Sequence, residues 1–244
     1  MSGALAAPGD RRGQRFTRHR GDGVCCWGPN SRARTGSRLG AAVRRPFFVV
    51  VAGGTAGGKS TLARGLVERL DAVLIAHDRY YRDVAVPRGH NYDHPDALDT
   101  DRLVSDLDTL AKGQGVGLPV YDFATHTRLE AVDFVHPAPV VLVEGILVLA
   151  DPRVARLADL TVYVDCPDDL RLVRRIRRDV VDRGRDVDGV LEQYLATVRP
   201  MHERFVAPCR GRVDFVMDGT RPPATLVDTL EAVVRARLDA RSMG

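Results

Sequence analysis

A nine-residue stretch, GGTAGGKST at residues 53–61, has the residue types of a phosphate-binding loop. Its spacing fits G-x-x-x-x-G-K-[ST], in which glycines let the backbone approach the phosphates and amide groups point at the anion. The apolar run FFVVVA precedes it and LARGLVERL follows it, which is the strand and helix context that the motif requires. The predicted nucleotide-binding residues are Gly53, Gly54, Thr55, Ala56, Gly57, Gly58, Lys59, Ser60 and Thr61. They indicate that the chain binds a nucleoside triphosphate.

Two side chains of this loop have predicted chemical roles. Lys59 would reach the β- and γ-phosphates, and the Ser60 hydroxyl would ligate Mg²⁺. Lys59 is one of only two lysines in a chain with 34 arginines, so a compact ammonium stands here in a composition that otherwise favours the guanidinium. A tight glycine turn without a ligand is the alternative, and the flanking strand and helix argue against it.

The identity of the phosphate acceptor is narrowed by motifs that the sequence lacks. A guanine-specific switch protein would carry N-K-x-D, and a transporter ATPase would carry LSGGQ; neither string occurs. Transfer to water is therefore a poor interpretation, and a second substrate is favoured.

Two carboxylates follow predicted buried strands and could complete such a site. Asp78 follows the strand AVLIA, and Glu144 ends the apolar run VVLVE. Because ligand groups gather at the carboxyl ends of parallel strands, both are expected beside the phosphate loop. Asp78 could accept the proton of an acceptor hydroxyl, and both carboxylates are candidate Mg²⁺ ligands, Glu144 directly or through water. A helix cap or a solvated loop acid is the alternative for each.

Apolar periodicity predicts strands and helices in alternation, which is typical of an α/β fold with a doubly wound parallel sheet. The predicted strands are 47–52, 72–76, 140–145, 160–165 and the segment VDFVMDG. The predicted helices are 58–70, 100–112, 168–183, 187–206 and 222–240. Two further extended arms, LPVYDF and AVDFVHP, are joined by ATHTRLE and predict a β-hairpin outside the main sheet.

The Arg-rich segment RLVRRIRRDVVDRGRD, residues 171–186, is interpreted as a helical lid. Its alternative is a solvated charged helix in which Asp179 and Asp182 pair with arginines one turn away. The acids are too few to pair all the arginines, and phosphoryl transfer needs cations that close on the developing charge.

The charge distribution separates a basic extension from one folded domain. Residues 1–45 hold ten arginines against Asp10 and Asp22, a net charge of +8, and residues 46–244 carry −4. The extension has no apolar periodicity, which indicates a disordered segment or an over-long gene start. The alternative is that this basic tail binds nucleic acid. The segment is Arg-rich like an organellar transit peptide but lacks a clean amphipathic repeat.

The apolar runs and the cysteines indicate in which cellular compartment the protein is expected. The longest apolar run, VVLVEGILVLA, is interrupted by Glu144 and is shorter than the about 18 residues of a membrane span. Cys25, Cys26, Cys166 and Cys209 form no C-x-x-C pair, so reduced thiols in a cytoplasmic protein are expected.

Together these segments resemble the uridine/cytidine kinase family, within the group that also contains phosphoribulokinase and pantothenate kinase. The matching strings are GGTAGGKST, HDRYYRD, NYDHPDALD, LPVYDFATHTR, VLVEGILVL and RRIRRDVVDRGRDVDGVLEQYLATVRP, in the family's order over about 46–240. The resemblance implies a P-loop nucleoside kinase that uses ATP and Mg²⁺ to phosphorylate uridine, and also cytidine, in pyrimidine salvage.

The resemblance also implies residue roles. Asp78 is the implied catalytic base and Lys59 the loop lysine; Ser60 and Glu144 are the implied magnesium-associated residues. The implied nucleoside site consists of Tyr81, Tyr92, Asp93 as the ribose acid, Tyr121, Phe123, His126, Arg175, Arg185 and Gln193, with Arg178 and Arg183 as lid cations that assist catalysis. Taken alone, Tyr121 and Phe123 alternate along a strand and would favour hairpin packing; the resemblance favours stacking on a base.

Two other functions are compatible with part of the sequence, and one segment departs from the family pattern. A phosphoribulokinase-like or other small-metabolite kinase would share the loop and the base but would not need a base-holding hairpin. A non-catalytic nucleotide- or nucleic-acid-binding regulator would not need Lys59, Asp78 and Glu144 together. Only 19 positions separate Lys59 from Asp78, fewer than the family pattern, which leaves homo-oligomeric assembly, the family's tetramer included, and feedback inhibition open.

A chain that begins at Arg44 is expected to fold and to keep its activity, because the tail offers no core residues. Any DNA or RNA binding by the full-length protein should disappear with the tail and should weaken steeply with salt. Soluble yield, turnover and nucleic-acid retardation of the two chains measure this. Loss of soluble protein or of turnover on truncation would show that the tail is structural.

Overall fold

The computed structural model describes residues 45–83, 90–123 and 125–243, so the predicted basic extension lies outside the described residues except for Arg45. Five parallel strands form the main sheet in the order β2-β5-β1-β6-β7. They are β1 (Phe47–Gly53), β2 (Ala72–Ala76), β5 (Val140–Glu144), β6 (Leu160–Asp165) and β7 (Phe215–Asp218). The α/β class and the strand positions agree with the sequence prediction.

Helices cover both faces of this sheet, which explains why its central strands are continuous apolar runs. α1 (Lys59–Arg69) and α7 (Pro223–Met243) pack on one face, where the core includes Val49 and Val51 of β1. α2 (Thr100–Ala111), α3 (Pro152–Leu157) and the helical segment 187–212 pack on the other, where the core includes Val50. Alternate residues of β1 therefore anchor opposite layers.

The predicted hairpin is present, with different bounds. β3 (Val116–Asp122) and β4 (Thr127–Val135) pair antiparallel in a sheet of their own, with a register shift between Pro119 and Tyr121. Residues 127–130, which the sequence predicts to be part of the connection, belong to β4, and Thr127 and Arg128 pair with Asp122 and Tyr121 at the end of β3. The connection is thus short, and it brings His126 to the end of the hairpin with a left-handed φ of 58°.

The Arg-rich lid begins as one α-helix, α4 (Asp168–Val181), and continues into a helical segment that is less regular than predicted. The stretch predicted as one helix over 187–206 is α5 (Val187–Gln193), a π-helical turn over Tyr194–Val198, α6 (Arg199–Met201) and a second π-helical turn over His202–Val206. Pro200 lies between the two wide turns, and its missing N–H interrupts α-helical hydrogen bonding. A 3₁₀ turn over Ala207–Arg212 ends the segment.

Within the described part of the chain, none of the helices combines the length and apolar character that a transmembrane span requires. Cys166 and Cys209 are both buried free thiols.

Candidate active site

The phosphate loop connects β1 to α1 and adopts a conformation that its glycines make accessible. Gly53 and Gly58 have φ values of 141° and 102°, where residues with a Cβ are strained. A Cβ on Gly53 would also lie 2.5 Å from the carbonyl oxygen of Val164 on β6. The loop therefore packs directly against the neighbouring strand, with the start of α1 pointing its free amides into the site.

Lys59 begins α1 and is buried, with its Nζ donating a hydrogen bond of 2.9 Å to the carbonyl oxygen of Gly54. Burial lowers the pKa of the Lys59 ammonium, and the charges of Glu144 and Asp78 oppose that change. The ammonium thus depends on two carboxylates, one at the end of β5 and one in the turn that follows β2. This arrangement brings together the three groups that the sequence predicted for the reaction centre.

Glu144 ends β5, the neighbour of β1, and is 4% exposed. Its Oε1 accepts a hydrogen bond of 2.8 Å from the Ser60 hydroxyl. Burial raises the pKa of Glu144, Lys59 lowers it, and the nearby Asp78 raises it further. A serine hydroxyl and a carboxylate in contact beside a phosphate loop fit Mg²⁺, which prefers oxygen ligands and takes the remainder from phosphates and water. The described residues contain no group of three or more His, Cys, Asp or Glu side chains suited to a metal held by protein alone.

Asp78 lies in a 3₁₀ turn, His77–Tyr80, that follows β2 at the edge of the sheet. Burial raises the pKa of its carboxyl, the cations Lys59, Arg183 and Arg178 lower it, and Asp93 raises it. The neighbours that influence its charge are therefore the phosphate-loop lysine, two lid arginines and the predicted ribose acid. Asp78 therefore lies between the phosphate loop, where the nucleotide is predicted to bind, and Asp93, where the acceptor is predicted to bind.

The lid arginines surround one carboxylate. Asp179 is fully buried, and the guanidinium groups of Arg175, Arg178, Arg183 and Arg185 all lie within 3.6 Å of its oxygens. Although burial raises the pKa of Asp179, the hydrogen bond from Arg178 and the arginine charges hold it below its usual range. The sequence interpretation treated Asp179 only as an ordinary helical ion-pair partner. Its helical spacing from Arg175 and Arg183 was visible, but its complete burial was not.

One lid arginine joins the lid to the phosphate loop. Arg175 is 6% exposed, and it donates hydrogen bonds of 3.2 Å to the Thr55 hydroxyl and 3.0 Å to Gln193 Oε1. Arg185 donates to the same Gln193 oxygen at 2.8 Å. Gln193 therefore fixes two of the arginines that the sequence assigned to the nucleoside side.

The predicted nucleoside-binding aromatic residues form a single cluster beside Asp78. The Tyr81 ring lies 5.7 Å from Tyr92, 5.5 Å from Tyr121 and 6.3 Å from Phe123, measured between ring centroids. His126 stacks on Tyr92 at 4.8 Å, and its Nδ1 has no hydrogen-bond partner among the described residues although it is buried. A buried ring nitrogen without a partner is a costly group that a bound polar edge would satisfy.

Asp93 directly follows Tyr92 of this cluster and is held by a residue that sequence reasoning missed. The Thr197 hydroxyl, in the first π-helical turn, donates a hydrogen bond of 2.9 Å to Asp93 Oδ2. Burial raises the pKa of Asp93, and the Thr197 hydrogen bond and the charge of Arg175 lower it. The signal available in the sequence was the spacing of four between Gln193 and Thr197, which places both on one helical face.

A second missed residue is Arg171, which is 2% exposed. Its guanidinium packs on Gly54 so closely that a Cβ at that position would lie 2.4 Å from Nη1. Its Nε donates a hydrogen bond of 3.0 Å to the carbonyl oxygen of Cys166. Arg171 thus supports the phosphate loop from the base of the lid helix.

The chain is similar to known proteins over most of its length. Residues 48–225 match the model of the phosphoribulokinase / uridine kinase family. A protein named uridine kinase from Chloroflexus aurantiacus is 46% identical over 203 residues, which cover 80% of this chain and 97% of that protein. A uridine kinase from Leuconostoc citreum is 39% identical over 204 residues, with 80% and 97% covered.

A solved structure from Bacillus stearothermophilus described as a "Possible Uridine Kinase" superposes with a TM-score of 0.54 at 18% identity and covers 74% of this chain and 92% of that one. At that identity the superposition shows the shared P-loop kinase fold. The family match extends over most of the folded chain, and the phosphate loop, the strand-end carboxylates, the hairpin and the lid all fall within it. The chain belongs to the phosphoribulokinase / uridine kinase family.

Proposed function

We propose that this protein transfers the γ-phosphoryl group of ATP to the 5′-hydroxyl of uridine, and also of cytidine, giving the nucleoside monophosphate and ADP. The observation that carries the proposal is the position of Asp78 between the phosphate loop and the aromatic cluster. Relatives that bear the name uridine kinase cover the same segments at 39–46% identity. A site for a sugar phosphate would not need an aromatic cluster with a histidine at its edge whose Nδ1 is buried and unpaired among the described residues.

In this reaction Asp78 accepts the proton of the 5′-hydroxyl while the oxygen forms a bond to the γ-phosphorus. The bond between that phosphorus and the β,γ-bridging oxygen breaks, and ADP leaves. Burial raises the pKa of Asp78, which makes the carboxylate a better proton acceptor, and the charges of Lys59, Arg183 and Arg178 oppose that rise. Because the transition state is loose, placement of the two substrates contributes most of the catalysis.

The cations around the phosphates come from three elements. Lys59 would change its partner from the Gly54 carbonyl to the β- and γ-phosphates, and Arg178 and Arg183 would approach from the lid. Ser60 and Glu144 would hold Mg²⁺, which supplies charge neutralisation between the β- and γ-phosphates when it is bound. Asp78 would be a third metal-associated residue, since its charge acts on both Glu144 and Lys59.

The residues around the predicted acceptor site would orient the nucleoside. Tyr121, Phe123 and the tyrosines Tyr81 and Tyr92 offer ring faces and edges to a base, and His126 offers a ring nitrogen to its polar edge. Asp93 would accept hydrogen bonds from the ribose hydroxyls, and Gln193, which accepts hydrogen bonds from Arg175 and Arg185, would complete this part of the nucleoside site with them. A site that makes such hydrogen bonds rejects analogues that leave its buried groups unpaired.

The direct test is ADP release by the purified full-length protein with ATP and Mg²⁺ across a panel of acceptors. The panel contains uridine, cytidine, adenosine, guanosine, ribulose 5-phosphate and pantothenate. Uridine and cytidine are expected to give the highest kcat/KM values. Preference for a sugar phosphate or pantothenate would overturn the proposed substrate class while leaving the kinase fold intact.

Asp78→Asn is expected to lower kcat with uridine by about 10² to 10⁴, because the amide cannot accept the proton. The affinity for ADP, measured by calorimetry, should stay close to that of the wild type, since the phosphate loop is unchanged. Turnover equal to that of the wild type would remove Asp78 from the role of base.

Thr197→Val is expected to raise the KM for uridine by roughly 5- to 10-fold, because the ribose acid Asp93 loses a hydrogen bond worth about 1 kcal/mol. The affinity for ADP should not change. Thr229→Val is the matched control, since Thr229 is an exposed residue of α7 whose hydroxyl bonds only the carbonyl oxygen of Thr225 among the described residues. Equal KM values for the two variants would contradict the role of Thr197.

A further inference from the structure

Arg128 of β4 has no role in the proposed reaction, and it connects the hairpin to the turn that carries Asp78. Its Nε donates a hydrogen bond of 2.8 Å to the carbonyl oxygen of Tyr81, and its Nη2 donates one of 2.8 Å to the carbonyl oxygen of Tyr80. Its Nη1 donates one of 3.1 Å to Asp99 Oδ2. One planar guanidinium thus holds two consecutive carbonyl groups and a carboxylate, a geometry that arginine makes and lysine does not.

The two carbonyl groups belong to Tyr80 and Tyr81, two and three residues after the proposed base Asp78. Asp78 is the second residue of the 3₁₀ turn His77–Tyr80, and Tyr81 is the residue that caps this turn. A 3₁₀ turn has poorer hydrogen-bond geometry than an α-helix, so outside contacts contribute more to its position. Asp99, the third partner of Arg128, caps α2 and also donates its backbone N–H to Tyr80 at 2.7 Å. Arg128 therefore holds the Asp78 turn against the start of α2.

The other end of Arg128 lies in the base-binding hairpin. In the β3–β4 register Arg128 stands directly opposite Tyr121, and it follows His126 by two positions. Its backbone N–H also donates a hydrogen bond to Asp83 Oδ1. A base that stacks on Tyr121 and contacts His126 would therefore press on the same short section of hairpin that Arg128 fixes to the Asp78 turn.

A second contact joins the same two elements. Arg79, the residue after Asp78, forms a 2.8 Å ion pair with Asp133 near the far end of β4. The hairpin thus contacts the turn at two points along β4, which restricts rotation of one element on the other. Arg128 is only 18% exposed, and its Nε, Nη1 and Nη2 all donate to protein oxygens, so it is a poor candidate for a substrate-phosphate ligand.

We propose that Arg128 is a positioning residue that couples the base-binding hairpin to the placement of Asp78, so that the catalytic carboxylate is aligned only when the hairpin is in place. This inference rests on the proposed function for its substrate and on the Arg128 contacts for its mechanism. Misplacement of a reacting group by about 1 Å can cost about 10²-fold in rate. The coupling should therefore appear in kcat more than in nucleotide binding.

The experiment compares the wild type with Arg128→Met, Arg128→Lys and Arg69→Met in the full chain. Arg69 is the matched control because its guanidinium also joins two elements, α1 and α7, through Asp228 and Glu231 on the sheet face opposite the hairpin. For each protein kcat and KM with uridine, the Kd for ADP and the Tm are measured well below the lowest Tm. Amide hydrogen exchange of peptides covering residues 78–83 is followed in the same samples.

Both Arg128 variants are expected to lose about 10- to 100-fold in kcat, with the Kd for ADP within about twofold of the wild type. Arg128→Lys should recover little, since one ammonium cannot reach two carbonyls and a carboxylate in the fork geometry. Exchange over 78–83 should accelerate in the Arg128 variants and not in Arg69→Met. If Arg128→Met does not fold, Arg128→Lys, which retains the positive charge, carries the comparison.

Unchanged kcat together with unchanged exchange over 78–83 in a folded Arg128 variant would overturn the proposal. So would an equal kcat loss in Arg69→Met, because the effect would then follow general stability. If the wild type phosphorylates no nucleoside, the proposed function fails, and kcat is measured with whichever acceptor of the panel is used. The exchange of 78–83 needs no acceptor and still decides whether Arg128 positions the turn.

Discussion

The buried ammonium of Lys59 is the constraint on which the rest of the site depends. A lysine that is 5% exposed loses most of its hydration, and two carboxylates compensate for that loss, Glu144 at the end of β5 and Asp78 in the turn after β2. Burial raises the pKa values of both carboxylates, and the ammonium of Lys59 opposes that rise in each, so the lysine and the two acids support one another's charge although Asp78 disfavours the charge of Glu144. The strand order β2-β5-β1 places the ends of these strands side by side, and the fold thereby brings the three charges together.

The same reasoning explains why the lid contains a buried acid. Four arginines close to one another repel, and without Asp179 their charges could not be held beside the phosphate loop. One carboxylate among four guanidinium groups leaves an excess of positive charge, which is what an incoming triphosphate requires. Asp179 thus organises the arginines without neutralising them. In an exposed helix with alternating charges, each arginine would pair with an acid, and little positive charge would remain for a ligand.

The sequence was most informative where a local pattern determines the structure. The glycine spacing of 53–58 and the apolar runs of β1, β5 and β6 predicted the phosphate loop and the sheet, and both lie in the structure where the sequence indicates. Asp78 and Glu144 were predicted because the end of a parallel strand is itself a local feature. Thr197 and Arg171 were missed because their roles depend on packing between distant segments: Thr197 bonds Asp93, and Arg171 supports Gly54. The π-helical turns were missed because apolar periodicity does not distinguish them from α-helix, although Pro200 was a visible signal.

The wide turn over Tyr194–Val198 has a consequence for how the two halves of the site are connected. Gln193 precedes it and holds Arg175 and Arg185 of the lid, while Thr197 lies within it and holds Asp93 of the acceptor side. The Thr197 hydroxyl also lies 3.2 Å from the carbonyl oxygen of Gln193, so the two positions are linked within one turn. π-helical turns occur frequently at functional sites, where the extra residue redirects side chains. A shift of this turn would move the lid arginines and the ribose acid together, and closure over the phosphates would therefore be accompanied by tightening around the nucleoside.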